Sequence, residues 1–203
     1  MSEKLHKMKS PMFLRLGGIC GIMGSVLPLV LVLSATFLST WFSWNTNALS
    51  ELGVGEQAYL FNSAMLIGGV LNFLFAIGLY EYFGRGRLLR AGAVSIMLSS
   101  ICLALVGVFT LDYHDQHVIA AIGYFVLAPA GFLLIGFGER ENIVRTLSFT
   151  CGVAALLTII VLPLIVFSLS FKFGFAVPEL AEGLIISAWT IFMSTKFLKQ
   201  QLR

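Results

Sequence analysis

Charged residues are scarce in this chain, since only 11% of its 203 residues are Asp, Glu, Lys or Arg. Hydrophobic residues make up 58% of the chain, and its mean hydropathy is +0.94. A soluble globular domain is about 45–50% apolar and about 25% charged. The low charge also excludes a disordered chain, which needs polarity, and a nucleic-acid-binding protein, which needs a basic surface. The composition therefore predicts an integral membrane protein.

The chain has only three cysteines, and familiar catalytic motifs are missing. Cys20, Cys102 and Cys151 each lie inside an apolar run, which predicts inert packing residues and gives no sign of a disulfide framework. The sequence has no H-E-x-x-H, P-loop, G-x-S-x-G or C-x-x-C motif, and the enzyme classes that those motifs define are excluded. The spans also carry too few charges for a voltage sensor or a typical proton pump.

Long apolar runs are what the chain does contain. A helix needs about 20 mostly apolar residues to cross ~30 Å of hydrocarbon. The runs are continuous, without the alternation of a membrane barrel, and therefore favour helices. We predict an all-α membrane protein, with one domain over residues 1–203 that forms a bundle of six transmembrane helices. The predicted spans lie near residues 13–39, 58–82, 91–111, 118–137, 147–170 and 177–197.

Basic residues mark one side of the predicted bundle. With a cytoplasmic N-terminus, twelve of the thirteen Lys and Arg residues fall on the cytoplasmic side and only Lys172 falls outside. The positive-inside rule therefore predicts a multi-pass protein of the cell membrane with both termini in the cytoplasm. The uncharged first run is too long for a signal peptide and is predicted to be an uncleaved span. The basic residues on the predicted cytoplasmic side are Lys4, Lys7, Lys9, Arg15, Arg85, Arg87, Arg90, Arg140, Arg145, Lys196, Lys199 and Arg203.

Small and amide side chains within the spans predict packing contacts. Gly17, Gly21 and Gly24 share one face of the first span, which indicates close helix packing within the protomer. Asn72 lies near the middle of the second span, and intramembrane amides usually hydrogen-bond a neighbouring helix. Trp189 in the last span is expected to be a packing residue. These features predict how the bundle is held together.

The predicted outer face carries acids and histidines that topology does not require. Asp112, His114 and His117 occur between the third and fourth spans, and imidazole and carboxylate are zinc ligands. Glu51, Glu179 or Glu182 would complete such a set. The alternative is an ordinary polar loop in which Asp115 caps the fourth helix. Two histidines without a defined third ligand favour this alternative, so the metal site remains a secondary hypothesis.

The longest outer loop contains a mixed segment over residues 45–53, followed by Phe61 and Asn62. This segment combines Asn, Ser and Glu with Leu and Gly, so it is able to fold over the helix ends and hydrogen-bond a ligand. The alternative interpretation is a polar turn in which Asn47 or Ser50 caps a short helix.

Glu179 and Glu182 follow Pro178 near the start of the sixth span. Only 13 uncharged residues separate Glu182 from Lys196, about 20 Å of helix. Either Lys196 extends toward the interface, or Glu182 lies within the membrane edge and needs a partner such as a histidine. The simpler interpretation makes both glutamates first-turn acids that the helix dipole stabilises.

The order of short motifs along the chain resembles a known family. Ser50-Glu51-Leu52-Gly53, then Phe61-Asn62 with Gly69, then Gly107-Val108-Phe109 and finally His117 follow its pattern. The resemblance is to domain-of-unknown-function family 998, which groups six-helix membrane proteins of archaea and bacteria without an established activity. It implies importance for Ser50, Gly53, Asn62 and His117. It argues against His114 as a ligand, because the family pattern has one histidine there.

Our leading functional hypothesis is a non-enzymatic membrane protein that binds a lipid headgroup or small solute in an outer pocket. Residues 41–57 would roof this pocket, membrane lipids are the expected partners, and nucleic acid is not expected. The first alternative is a lipid-active hydrolase in which His117, with Asp112 or Glu182, holds a metal or acts as base; the second is a small transporter. No cofactor is predicted apart from zinc in the metal hypothesis. The predicted pocket residues are Ser50, Glu51, Asn62, His117 and Glu182.

Overall fold

The structure is a computed structural model that describes residues 11–84, 86–168 and 174–200. Within these residues the chain forms six α-helices and no β-strand. All six helices are long and apolar enough to cross a membrane, which confirms the predicted six-span, all-α architecture. The helices are α1 (Pro11–Leu38), α2 (Ala58–Phe83), α3 (Arg87–Val108), α4 (His114–Gly138), α5 (Asn142–Ser168) and α6 (Ala176–Gln200).

Some predicted features fall outside the described residues. They include the end of the fifth predicted span, residues 169–170. The basic residues concerned are Lys4, Lys7, Lys9, Arg85, Lys172 and Arg203.

The helices pack as a ring in chain order. Each helix contacts its neighbours along the chain, and α6 closes the ring against α1. Consecutive membrane-spanning helices run antiparallel, so alternate helix ends meet at the same end of the bundle. We call the end with the start of α1 and the end of α6 the terminal end, and the opposite end the cap end.

Aromatic side chains fill the half of the bundle nearer the terminal end. Phe75, Phe132, Trp189 and Phe197 are almost completely buried. The rings of Phe132 and Trp189 lie 4.2 Å apart, and those of Phe75 and Phe197 lie 5.5 Å apart. The Trp189 indole N–H donates a hydrogen bond of 2.9 Å to Ser148. The predicted packing role of Trp189 is confirmed, and this half of the bundle has a solid core.

The glycine face of α1 packs within the protomer, as predicted. A Cβ at Gly17 would lie 3.1 Å from the Cα of Gly78 in α2. A Cβ at Gly21 would lie 2.1 Å from the hydroxyl of Ser194 in α6. Only glycine allows α1 to approach both of its neighbours this closely.

Asn72 donates a hydrogen bond to a backbone carbonyl that lacks its helical N–H donor because of a proline. Pro28 interrupts α1 and has no N–H, so the Gly24 carbonyl lacks its usual α-helical donor. The Asn72 side-chain amide donates to this carbonyl at 3.1 Å and to the Gly68 carbonyl at 3.0 Å. The predicted helix-bridging role of Asn72 is therefore confirmed, and its physical reason is the proline in the facing helix.

Candidate functional site: a capped cavity

Residues 41–57, which we call the cap, cover the cap end of the bundle. A 3-10 turn over Leu49–Gly53 forms the centre of the cap. Leu49 and Leu52 are buried, and they pack with Val32, Phe61 and other apolar side chains of the helices. The cap is therefore a part of the folded bundle that is held by apolar burial.

Glu51 holds the cap together internally. Its carboxylate accepts hydrogen bonds from the Asn47 side chain at 2.6 Å and from the Ala48 backbone N–H at 2.8 Å. The Asn47 side-chain oxygen in turn accepts from the Ser43 N–H at 2.9 Å. Both carboxylate oxygens of Glu51 are thus bonded within the cap, so Glu51 stabilises the cap and does not face the bundle interior as a free carboxylate.

Hydrogen bonds anchor the cap to α6. The Leu49 N–H donates to the Glu179 carboxylate at 2.6 Å. Backbone bonds join the Gly174 N–H to the Asn45 carbonyl and the Ala176 N–H to the Asn47 carbonyl, at 2.6 and 3.1 Å.

Asn62 anchors the cap to α2. Its side-chain amide donates to the Gly53 carbonyl at 3.1 Å. A Cβ at Gly53 would lie 2.9 Å from the Asn62 side-chain oxygen, so glycine is required for this approach. Two residues that the family resemblance singled out, Gly53 and Asn62, therefore meet as a cap anchor.

A cavity of about 110 Å³ lies beneath the cap, between α1, α2, α3, α4 and α6. A water molecule occupies about 30 Å³ in the liquid, and an apolar cavity of about 150 Å³ admits benzene. The cavity is thus large enough for a group of a few heavy atoms. Its polar lining includes Ser25, Ser50, Asn72, His117, Glu179 and Ser187.

His117 lies in the first turn of α4, only 4% exposed, and lines the cavity. Its Nδ1 lies 2.7 Å from the Phe109 carbonyl oxygen at the end of α3. Because a carbonyl only accepts, Nδ1 is the donor, and Nε2 of the neutral ring is left as an acceptor. The bond orients the imidazole at the cavity wall.

Glu182 is completely buried, in the second turn of α6. The interpretation of Glu182 as a first-turn acid is wrong, because only Glu179 lies in the first turn of α6 and the ring of helices encloses Glu182. Lys196 forms an ion pair with Glu141 at the terminal end. Because only 13 residues separate Glu182 from Lys196, a Lys196 near that surface places Glu182 inside the bundle. Among the described residues, neither Glu182 carboxylate oxygen has a hydrogen-bond partner.

Glu182 lies next to the cavity. Its chain neighbour Gly183 and Ile186, one turn further, both line the cavity. Tyr124 of α4, another lining residue, lies within electrostatic reach of the Glu182 carboxylate. A Cβ at Gly183 would meet no atom within 4 Å, so the cavity is open at this point of α6.

The residues of the predicted metal site have separate partners. His114 is exposed and pairs with Asp115 at 3.3 Å, whereas Asp112 accepts a hydrogen bond from Thr110. His117 points inward to Phe109. Throughout residues 11–84, 86–168 and 174–200, no three His, Cys, Asp or Glu side chains lie together in an arrangement that could hold a metal ion.

The expectation that residues 112–117 form a loop between spans is wrong in part. Leu111–Tyr113 form a 3-10 turn, and α4 already begins at His114. Polar residues occupy its first turn because the first backbone N–H groups of a helix have no intrahelical acceptor.

The structure brings together only some of the predicted pocket residues. Ser50 and His117 line the cavity, and Glu182 lies beside it, whereas Glu51 and Asn62 serve the cap. Sequence reasoning missed Tyr124, Phe125 and Gly183. Gly183 carried a weak signal, since a glycine inside a helical pattern costs about 1 kcal/mol relative to alanine.

The fold and the cavity together define a multi-pass helical membrane protein with a capped cavity between its helices. More particularly, the chain belongs to the family described as "Protein of unknown function (DUF998)", which matches residues 22–196. This match confirms the resemblance drawn from the short motifs. No curated protein and no solved structure matches the chain.

Proposed function

We propose that the protein binds a lipid headgroup or a small solute in the capped cavity and acts without catalysing a reaction. It would do so in the cell membrane, with both termini in the cytoplasm and the cap on the outer face. The observation that carries this proposal is the cavity of about 110 Å³ with polar groups in a largely apolar wall. Ligand sites in proteins typically combine these two features.

The depth of the cavity favours binding over transport. The lining extends from Ser50 in the cap to Gly24 and Asn72 near the middle of α1 and α2. Beyond that level, Phe75, Phe132 and Trp189 fill the bundle. A transporter needs a path to the opposite side, and in this conformation the aromatic core occupies that path.

The contacts of Glu51 favour binding over hydrolysis. Convergence of His117, Glu51 and Glu182 on one point would favour the hydrolase hypothesis. Glu51 is instead held by Asn47 and Ala48 within the cap, and His117 uses Nδ1 to bond Phe109. The bonds to Glu51 hold its carboxylate in the cap and away from His117, whose ring is oriented by Phe109.

Filling the cavity tests the proposal. Gly183→Leu places a side chain in the open space at the cavity wall without a clash at Cβ. Ala188→Leu on the exposed side of the same helix is the matched control. Native mass spectrometry of detergent-purified protein should find a retained small molecule or lipid in the wild type and in Ala188→Leu, and none in Gly183→Leu.

Two results would contradict the proposal. One is a wild-type protein that retains no molecule even when purified in mild detergent with added membrane lipids. The other is equal retention by wild type and Gly183→Leu, which would place the bound molecule on the outer surface of the helices.

A further inference from the structure

The charges around the cavity are all of one sign. Glu179 contributes its carboxylate to the wall, and Glu182 lies buried three residues later in α6. Among the described lining residues there is no Lys or Arg. An uncompensated carboxylate in an apolar interior is costly unless a cation or hydrogen-bond donors meet it. The wall thus has no positive charge of its own. A cationic occupant of the cavity would supply one.

Two polar groups at the cavity offer acceptors without a described donor. Glu182 has two oxygens without a partner among the described residues, and His117 is left with Nε2 as an acceptor. An occupant that only accepts hydrogen bonds, such as a phosphate, would face these groups without a donor. An occupant that donates several hydrogen bonds would satisfy them.

Aromatic rings complete the chemical character of the wall. Phe61, Tyr124 and Phe125 line the cavity together with aliphatic side chains. Aromatic faces attract cations, and alkylammonium groups are recognised by combining such faces with a carboxylate. The volume of about 110 Å³ accommodates an ammonium carried on two or three carbons.

We propose that the cavity binds an alkylammonium group, with the Glu182 and Glu179 carboxylates as its counter-charges. This inference rests on the proposed ligand-binding function and names its chemical class. The ammonium is either the headgroup of an aminophospholipid or a free small amine. In both cases Glu182 turns toward the ammonium beside Gly183, and the ion pair satisfies the buried carboxylate.

The test compares probes that differ in the ammonium group. The lipid arm uses dioleoyl phosphatidylethanolamine and dioleoyl phosphatidylglycerol, which share their acyl chains. The free arm uses ethanolammonium and ethylene glycol at equal ionic strength. Binding is measured by thermal unfolding and native mass spectrometry of wild type, Glu182→Gln, Gly183→Leu and Glu56→Gln, the last removing an exposed cap charge.

We expect the wild type to bind an ammonium probe and to prefer it over its matched probe. Glu182→Gln should bind it at least about tenfold more weakly, because a charge-assisted contact is lost. Glu56→Gln should bind as wild type, and Gly183→Leu should not bind. Binding of phosphatidylethanolamine alone identifies a lipid headgroup, whereas saturable binding of ethanolammonium identifies a small amine.

The failures of the two proposals are distinguishable. If Glu182→Gln binds as wild type, or the matched probes bind equally, while Gly183→Leu blocks binding, the ammonium inference is wrong and the cavity remains a ligand site. If Gly183→Leu binds as wild type, both proposals are wrong. Glutamine has the shape of glutamate, so Glu182→Gln should unfold at no lower temperature than wild type. Should it nevertheless misfold, competition on wild type decides: ethanolammonium, and not ethylene glycol, should displace phosphatidylethanolamine.

Discussion

At the scale of single residues, the interior of the bundle follows a rule of hydrogen-bond satisfaction. Pro28 cannot donate to the Gly24 carbonyl, and the Asn72 side-chain amide of the facing helix donates to it instead. Ser95 and Ser99 of α3 likewise donate to carbonyls of α4. Single oxygens of Ser39, Asn62 and Ser194 lack a partner among the described residues, but the largest departure is Glu182, where both carboxylate oxygens have none. That departure makes Glu182 the residue at which a ligand is expected.

Replacing Asn72 should destabilise the protein through the carbonyl that it satisfies. We expect Asn72→Leu to cost about 1 kcal/mol of unfolding free energy, the scale of a hydrogen bond between membrane helices. Pro28→Ala restores an N–H donor to the Gly24 carbonyl, so Asn72→Leu should cost less in that background. Thermal unfolding of the four proteins of this double-mutant cycle measures the coupling. Equal costs in both backgrounds would show that the two residues act independently.

Two glycines at different helix faces should respond oppositely to alanine. A Cβ at Gly107 would lie 2.5 Å from the Asn62 carbonyl oxygen, so Gly107→Ala should destabilise by about 1–3 kcal/mol. A Cβ at Gly183 meets open space, and Gly183→Ala should stabilise the helix by about 0.5–1 kcal/mol. Unfolding temperatures in detergent measure both. Destabilisation by Gly183→Ala would show that the cavity is not open at this position.

At the scale of elements, the cap covers the space between the helices at one end of the bundle and so encloses it as a cavity. It has no long helix of its own, and its position depends on anchors to α2 and α6. Such an element is expected to open more readily than the helices beneath it.

Loss of the α6 anchor should loosen the cap specifically. Glu179→Ala removes the acceptor of the Leu49 N–H, and we expect amide hydrogen exchange in residues 45–57 to become about tenfold faster. Exchange in α1 should not change. Glu56→Ala, an exposed substitution within the cap, is the control. Unchanged exchange in Glu179→Ala would show that apolar packing alone holds the cap.

The helices were predictable from the sequence, and their ends less so. The predicted second span, residues 58–82, differs from α2 by one residue. The helices α3, α4 and α5 begin four or five residues earlier than predicted, because their polar first turns project beyond the apolar window. Hydropathy detects the part of a helix that lipid surrounds, whereas capping and charge decide where it begins.

The site was predictable only in part, because each span is apolar on all sides. The sequence of such a helix does not show which face packs against the other helices. The aromatic core and the lining residues Tyr124 and Phe125 could therefore not be predicted. Polar residues were found readily as a class. Their partners depend on tertiary packing, which places Glu51 in the roof and Glu182 in the interior.

At the scale of the whole molecule, the bundle is asymmetric along its axis. The cap end holds the cavity and six of the nine described acids, whereas the terminal end holds the aromatic core and the seven described basic residues. This asymmetry fits a protein that presents a site to one side of the membrane and is closed toward the other.

The proposed orientation predicts which end is accessible from outside the cell. A cysteine introduced as Glu56→Cys in the exposed cap should react with a membrane-impermeant maleimide in intact cells. Gln200→Cys at the end of α6 should react only after permeabilisation. Wild type, whose described cysteines lie within helices, gives the background. The reverse pattern would place the cap in the cytoplasm.

The most direct measurement of the central claim is an experimental structure of the wild-type protein purified with its native lipids. The account predicts a bound molecule beneath the cap, between His117 and Gly183, with a donor or cationic group within hydrogen-bond distance of Glu182. The same preparation of Gly183→Leu should show no such molecule. An unoccupied wild-type cavity, with Glu182 satisfied by another protein group, would contradict the account.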